Sequence, residues 1–255
     1  MYKFYAKLHG AKYKSKALQL SLNDVTGIAK FELNQNAFIQ KAKSSRMIIL
    51  ARPNNPDGLL ISYDFIKELL ELKKLVIIDE AYVDFSDKPS VKDLINSFDN
   101  LIILRSFSKA YSLAGLRLGY LITSPSIKNV IIRVKGPYNV NNLAIKIGSL
   151  LLEKQDEILT NISKIKSIRE KFYRDLIRLR KKNNTFYFHL SKANFTLLRF
   201  QSTEMADSLY LFLLKHQIKI RKFEKDLSNC LRVSIGTSSQ MEKLLEMFNQ
   251  FFEAN

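Results

Sequence analysis

The stretch Leu101-Ile102-Ile103-Leu104-Arg105-Ser106-Phe107-Ser108-Lys109-Ala110-Tyr111 joins an apolar run to a cluster of small polar residues and a lysine. Four consecutive branched apolar residues read as a strand buried inside a sheet, and the serines mark its end. Lys109 then stands where a strand of an α/β sheet finishes, the edge at which such folds gather ligands. An ammonium group at the mouth of an apolar sheet must meet an anion, give up its proton, or form a covalent bond. A Schiff base with an aldehyde is the third course.

Two more apolar runs lie upstream. Met47-Ile48-Ile49-Leu50-Ala51 stops at Arg52-Pro53-Asn54-Asn55-Pro56-Asp57-Gly58, a dense group of turn formers. Leu75-Val76-Ile77-Ile78 stops at Asp79-Glu80-Ala81-Tyr82. An apolar strand followed by Asp-Glu also describes the magnesium-binding strand of nucleotide hydrolases, but the required G-x-x-x-x-G-K-[ST] loop does not occur in this chain. Asp79 still needs a partner, and a protonated heterocyclic nitrogen suits it. Between the first two strands, Ser62 is placed to cap a helix over Tyr63–Lys73. Segments of this length predict an α/β fold with a mostly parallel central sheet and flanking helices, extended by Leu118-Gly119-Tyr120-Leu121-Ile122. The first 46 residues give weaker signals, a short helix over Tyr2–Ala11 and a strand over Lys16–Leu20.

Downstream, Pro125 opens a helix, Lys135–Asn139 breaks it, and Asn142–Leu152 is helical again. From Glu153 to Asn183 there is neither glycine nor proline. Ile158, Ile162, Ile165, Ile168, Phe172, Leu176 and Leu179 recur at helical spacing there, which predicts one long amphipathic helix. Its basic residues, among them Arg169, Arg174 and Arg180, read as a solvated face. Strands over Phe186–Leu190, Phe195–Phe200, Ile218–Arg221 and Leu231–Ile235 alternate with helices over Thr203–His216 and Ser238–Phe252, the pattern of a smaller α+β domain. The expected division is 1–152 for the large domain, and 153–255 for the linking helix and small domain.

The 255 residues are 46% hydrophobic and carry a formal charge of +17. The lysines are scattered along the chain and not interleaved with aromatics in one run, so the charge does not point to nucleic acid. Cys230 is the one cysteine, which excludes an internal disulfide and favours a reducing, cytoplasmic setting. No apolar run reaches membrane-spanning length, so a membrane partner is not expected.

Read in order, four pieces resemble the aspartate-aminotransferase superfamily of pyridoxal-phosphate enzymes, and within it the histidinol-phosphate aminotransferases. They are Arg52–Gly58, Asp79–Tyr82, Ser106–Lys109 with Arg117, and Asn229-Cys230-Leu231-Arg232-Val233-Ser234-Ile235-Gly236-Thr237. Lys135–Asn141 is similar to the family's linker. The resemblance implies pyridoxal 5'-phosphate as cofactor and amino transfer from histidinol phosphate to 2-oxoglutarate, in histidine biosynthesis, by a homodimer. It implies that Lys109 binds the cofactor's aldehyde and then moves a proton at the substrate α-carbon. Asp79 would pair with the pyridine nitrogen, while Asn55 and Tyr82 would face the ring's phenolate oxygen. Ser106, Ser108 and Arg117 would hold the phosphate. Arg232 would bind a substrate carboxylate, and Arg221 the substrate's own phosphate. Against the family pattern, Arg52 replaces an asparagine and Asp57 a threonine. Met1 aligns after the family's N-terminal arm, a phosphate-binding loop and a ring-stacking aromatic, so the expectation is a truncated chain with impaired activity. Threonine-phosphate decarboxylases and aromatic aminotransferases share these motifs, and an inactive remnant or binding protein is the remaining alternative.

Overall fold

A computed structural model of the chain describes residues 1–254. It opens with helix α1 (Tyr2–Leu8), a hairpin of β1 (Gln19–Asn23) and β2 (Ile28–Glu32), and helix α2 (Gln35–Lys43). An α/β segment follows: β3 (Met47–Ala51), α3 (Tyr63–Glu71), β4 (Leu75–Asp79), β5 (Leu101–Ser106) and β6 (Gly119–Thr123). Helices α4 (Pro125–Val134), α5 (Asn142–Leu152) and the 28-residue α6 (Gln155–Lys182) lead to the rest. That part holds β7 (Phe186–His189), β8 (Phe195–Phe200), α7 (Thr203–Lys215), β9 (Arg221–Lys222), β10 (Cys230–Ser234) and α8 (Ser238–Glu253).

Strands β3, β4 and β5 pair in parallel, with Ala51 beside Asp79 and Asp79 beside Leu104, so all three finish at one edge. Strand β6 extends this sheet but runs antiparallel to β5. The link from Phe107 to Leu118 contains only a 3-10 turn at Ala114–Leu116 and no helix of the kind that carries a crossover to a parallel partner. Ser62 caps α3 as its position suggested, accepting a hydrogen bond from the Phe65 N–H at 3.3 Å. That helix buries Phe65, Ile66, Leu69 and Leu70 against Ile48, Val76, Ile78 and Ile103 of the sheet. These four sheet residues are β-branched and, by the parallel register, share the one face that α3 covers.

The second sheet has six strands in the order β1-β2-β7-β8-β10-β9. The strand expected over Lys16–Leu20 forms at Gln19–Asn23 instead, and the hairpin it begins hydrogen-bonds to β7, with Ile28 beside Phe188. Residues 19–32 thus share a sheet with the C-terminal strands. The strand expected over Ile218–Arg221 is the two-residue β9. Helix α6 packs Phe172, Leu176 and Leu179 against the second sheet, with α7 and α8 completing that core.

Two arginines of α6 depart from the solvated face. Arg169 is 1% exposed and donates to the carbonyls of Phe85 at 3.1 Å and Ala193 at 2.9 Å, clamping both halves of the chain to the helix. Arg180 is also buried, its guanidinium 4.8 Å from the Tyr187 ring. Spacing alone does not separate a basic face from a basic side chain that spans a junction.

His189 is buried in the second sheet, stacked on Phe31 at 4.7 Å, and its Nε2 has no hydrogen-bond partner. Burial, reinforced by Arg199, pushes its pKa down to about 3 from the ordinary 6.5. The unfolded chain therefore binds one more proton between these values, and stability contributed by the neutral ring is complete above pH 6.5 and is lost as the pH falls towards 3. Relative to His189→Leu, the protein is expected to lose an additional ~2–3 kcal/mol between pH 6.5 and roughly pH 4.5. Urea unfolding at the two pH values measures it; equal slopes in both proteins would contradict the burial argument.

Candidate active site

The site is built from residues that follow the carboxyl ends of β3, β4 and β5, met from the side by β8 and β10. At the end of β4 the backbone alternates, so Asp79 and Glu80 point to opposite faces. Glu80 goes into the core: it is fully buried, with Arg52 at 3.5 Å and Arg105 at 3.3 Å, and it accepts the Val91 N–H at 2.9 Å. Arg105 also pairs with Asp84. Asp79 goes to the site and is half-buried. Its Oδ1 accepts the Ala81 N–H at 3.1 Å, and its Oδ2 accepts the hydroxyl of Tyr2 at 2.7 Å.

Lys109 lies in the turn after β5, with its Nζ 5.4 Å from the centre of the Tyr82 ring. Tyr82 follows β4, and its ring meets Phe195 of β8 edge-on, 5.1 Å between centres. The other side of the Phe195 environment is taken by Arg232 of β10, whose guanidinium sits 4.7 Å from that ring. Arg232 then donates to Asn55 Oδ1 at 2.6 Å, closing a loop of contacts back to the turn after β3. Asn55 keeps its amide N–H groups as donors. Lys109, Tyr82, Arg232 and Asn55 are thus drawn together by one continuous set of contacts that crosses from the first sheet to the second. Asp79, the last residue of β4, stands three positions before Tyr82 and accepts the hydroxyl of Tyr2.

The turn that presents Asn55 is anchored from below. Gly58 has φ of +77° and passes so close to Ser191 that a Cβ would lie 1.9 Å from its Oγ and 2.6 Å from its Cα. Its carbonyl accepts the Lys192 N–H at 3.1 Å. Asp57 is buried and accepts from Asn54 and from the Leu59 N–H, and burial raises its pKa. Arg52, which stands where the family pattern has an asparagine, donates to the carbonyls of Ile61 at 2.9 Å and Pro89 at 2.8 Å. Both departures from the family pattern hold the turn in place.

The expected phosphate end is less convergent. Ser106 Oγ accepts the Ser108 N–H at 3.0 Å, tightening the turn before Lys109. Arg117 is exposed, has a left-handed backbone with φ of 53°, and its guanidinium donates to the Ala114 carbonyl at 3.3 Å rather than to either serine. Arg221 is exposed on β9 and lies directly across from Arg232 in the antiparallel ladder. Burial draws the Arg232 guanidinium below its usual range, with Tyr82 opposing that and Arg221 reinforcing it. Facing cations on neighbouring strands repel, and an anion between them would relieve it.

Sequence reasoning missed two members. Phe195 reads as one more apolar residue of a core strand, with no local sign that it lies under a guanidinium. Tyr2 reads as an ordinary residue of a weak helix, and its partner is 77 positions away.

A mostly parallel sheet whose carboxyl edge gathers a lysine, an acid and a tyrosine, completed by an arginine from a second sheet, defines the fold class of the pyridoxal-phosphate transferases. The family model for aminotransferase class I and II matches residues 1–248, and the chain belongs to that family. It is 39% identical over 204 residues to histidinol-phosphate aminotransferase 1 of Carboxydothermus hydrogenoformans, covering 80% of this chain and 56% of that protein. It is 33% identical over 253 residues to the histidinol-phosphate aminotransferase of Pyrococcus furiosus, covering 99% of this chain and 68% of that one. The crystal structure of the histidinol-phosphate aminotransferase from Clostridium acetobutylicum superposes with a TM-score of 0.84 at 26% identity, over all of this chain and 75% of that one. The chain therefore spans a little over half to about three quarters of the length of these relatives. Pyridoxal 5'-phosphate is the cofactor of the family.

The residues present fit that group at its ring end. Each oxygen of Asp79 has one partner, which leaves lone pairs for a protonated ring nitrogen. Lys109 faces an aromatic ring instead of a carboxylate, so its amine is open to an aldehyde. At the phosphate end the two serine hydroxyls and the Arg117 guanidinium are donors of the right chemistry.

Proposed function

We propose that this chain carries the catalytic centre of a pyridoxal-phosphate aminotransferase that takes the amino group of histidinol phosphate and passes it to 2-oxoglutarate, in histidine biosynthesis. The observation that carries the reading is the contact path from Lys109 through Tyr82 and Phe195 to Arg232, which brings a proton carrier and an anion clamp to one site.

When bound, the cofactor supplies an electron sink for the pair left behind as the substrate α-carbon loses its proton. Lys109 would hold the cofactor through its amine and would move the proton at the substrate α-carbon. Asp79 keeps a positive charge on the ring nitrogen, and its carboxylate is already oriented by the Ala81 N–H. Tyr82 and Asn55 offer hydrogen bonds to the phenolate oxygen, while Ser106, Ser108 and Arg117 bind the phosphate. Arg232 orients the anionic group of the substrate, and Arg221 on the neighbouring strand adds a second positive charge. A donor bearing a phosphate and an acceptor bearing carboxylates both satisfy this pair of cations. The single buried Cys230, raised by burial to a pKa of about 11, stays a thiol and suits the reducing cytoplasm. A homodimer is the assembly this reading implies.

Mixing the protein with pyridoxal phosphate and then histidinol phosphate, in the absence of 2-oxoglutarate, tests the reading. The expected result is loss of the bound cofactor's visible band and formation of one equivalent of the oxo product, reversed by 2-oxoglutarate. Carbon dioxide release from a phospho-amino acid, with no response to histidinol phosphate, would instead mean decarboxylation.

A further inference from the structure

Helix α1 buries none of its residues; Phe4, Tyr5 and Leu8 are 65%, 53% and 64% exposed. Tyr2 alone is directed at the site, so core packing does not carry it there. Its hydroxyl lies 2.7 Å from Asp79 Oδ2, on the oxygen that the Ala81 N–H does not take. We propose that Tyr2 is a positioning residue that fixes the orientation of the Asp79 carboxylate and keeps it a hydrogen-bond acceptor for the ring nitrogen of the cofactor. The inference rests on the assignment of Asp79 to that nitrogen.

The direction of the bond is set by the groups around the phenol. Asp79, Tyr13 and Tyr82 are the titratable groups facing it, and none is cationic. Burial, then the charge of Asp79, holds the phenol protonated far above its ordinary range. Tyr2 is therefore the donor at any working pH, and Asp79 accepts as the carboxylate. With one oxygen held by a backbone amide and the other by a phenol, rotation about the Cβ–Cγ bond of Asp79 would break both bonds. A carboxylate that is already oriented loses less freedom when it meets a cation.

The test is a double-mutant cycle on the full chain, read by the dissociation constant of pyridoxal phosphate from absorbance titration. Tyr2→Phe removes one oxygen and keeps the ring. It is expected to weaken cofactor binding about tenfold in the native background, and to change nothing further in Asp79→Asn. In cofactor-free protein labelled with 13C at tyrosine Cζ, the signal missing from Tyr2→Phe should change its chemical shift in Asp79→Asn at neutral pH, because the phenol loses its charged acceptor. Equal losses from Tyr2→Phe in both backgrounds, or a Tyr2 signal indifferent to Asp79→Asn, would overturn the positioning role. Unchanged cofactor affinity in Asp79→Asn would instead overturn the assignment of Asp79, and the inference with it.

Discussion

Lys109→Ala is expected to abolish the visible absorbance the protein gains with pyridoxal phosphate and to lower amino transfer by at least ~10³-fold, the range of a lost proton carrier. The expectation follows from where the side chain sits. Lys109 is half-buried in a turn and touches the Tyr82 ring, with no acid against it, so its removal leaves no unpaired charge behind. Stability should therefore change by less than about 1 kcal/mol, and loss of function without loss of fold is the signature to look for. Thermal unfolding and absorbance of the same sample separate the two. A variant that stays coloured after dialysis would move the attachment to another amine.

Glu80→Ala should do the opposite, damaging the fold first. Glu80 is fully buried between Arg52 and Arg105 and also accepts a backbone N–H. Deleting it leaves the buried Arg52 guanidinium without a counter-charge and Arg105 with Asp84 alone, which costs about 3–5 kcal/mol when a buried pair is broken from one side. At roughly 2–4 °C per kcal/mol for a chain of this size, the midpoint of thermal unfolding should fall by about 6–20 °C. Denaturant unfolding checks the free energy directly; a loss below about 1 kcal/mol would mean that water reaches the pair in solution. The adjacent Asp79 should behave differently, because asparagine keeps the size of the side chain while removing its charge and one of its two acceptor oxygens, and so acts on the cofactor. Two neighbouring acids at one strand end thus divide stability from chemistry by the alternation of the pleat alone.

That division also explains what could be read from the chain beforehand. Parallel strands of such a sheet announce themselves as runs such as Met47–Ala51 and Leu101–Leu104, in which apolar residues follow one another without the polar alternation of a half-solvated strand. The cap at Ser62 was legible since a side-chain oxygen two or three residues before an apolar turn has few other uses. The hairpin at residues 19–32 was not, because all five residues of Gln19–Asn23 are exposed and its neighbour β7 comes more than 150 positions later. At the site, Lys109, Asp79, Tyr82, Asn55 and Arg232 stand in motifs whose polar character interrupts an apolar pattern. Tyr2 and Phe195 interrupt nothing, and their roles arise only when distant strands meet. Arg169 was misread for the same reason: its two acceptors, Phe85 and Ala193, lie 84 and 24 positions from it.

The central claim is that Lys109 is the amine that holds the cofactor, at a site shared with Tyr82, Asp79 and Arg232. Treating the protein with pyridoxal phosphate, reducing it with borohydride and mapping the peptides tests this most directly. The account predicts one equivalent of pyridoxyl group, on Lys109, among the many lysines of this basic chain. A label spread over surface lysines, or absent from the peptide that contains Lys109, would contradict it.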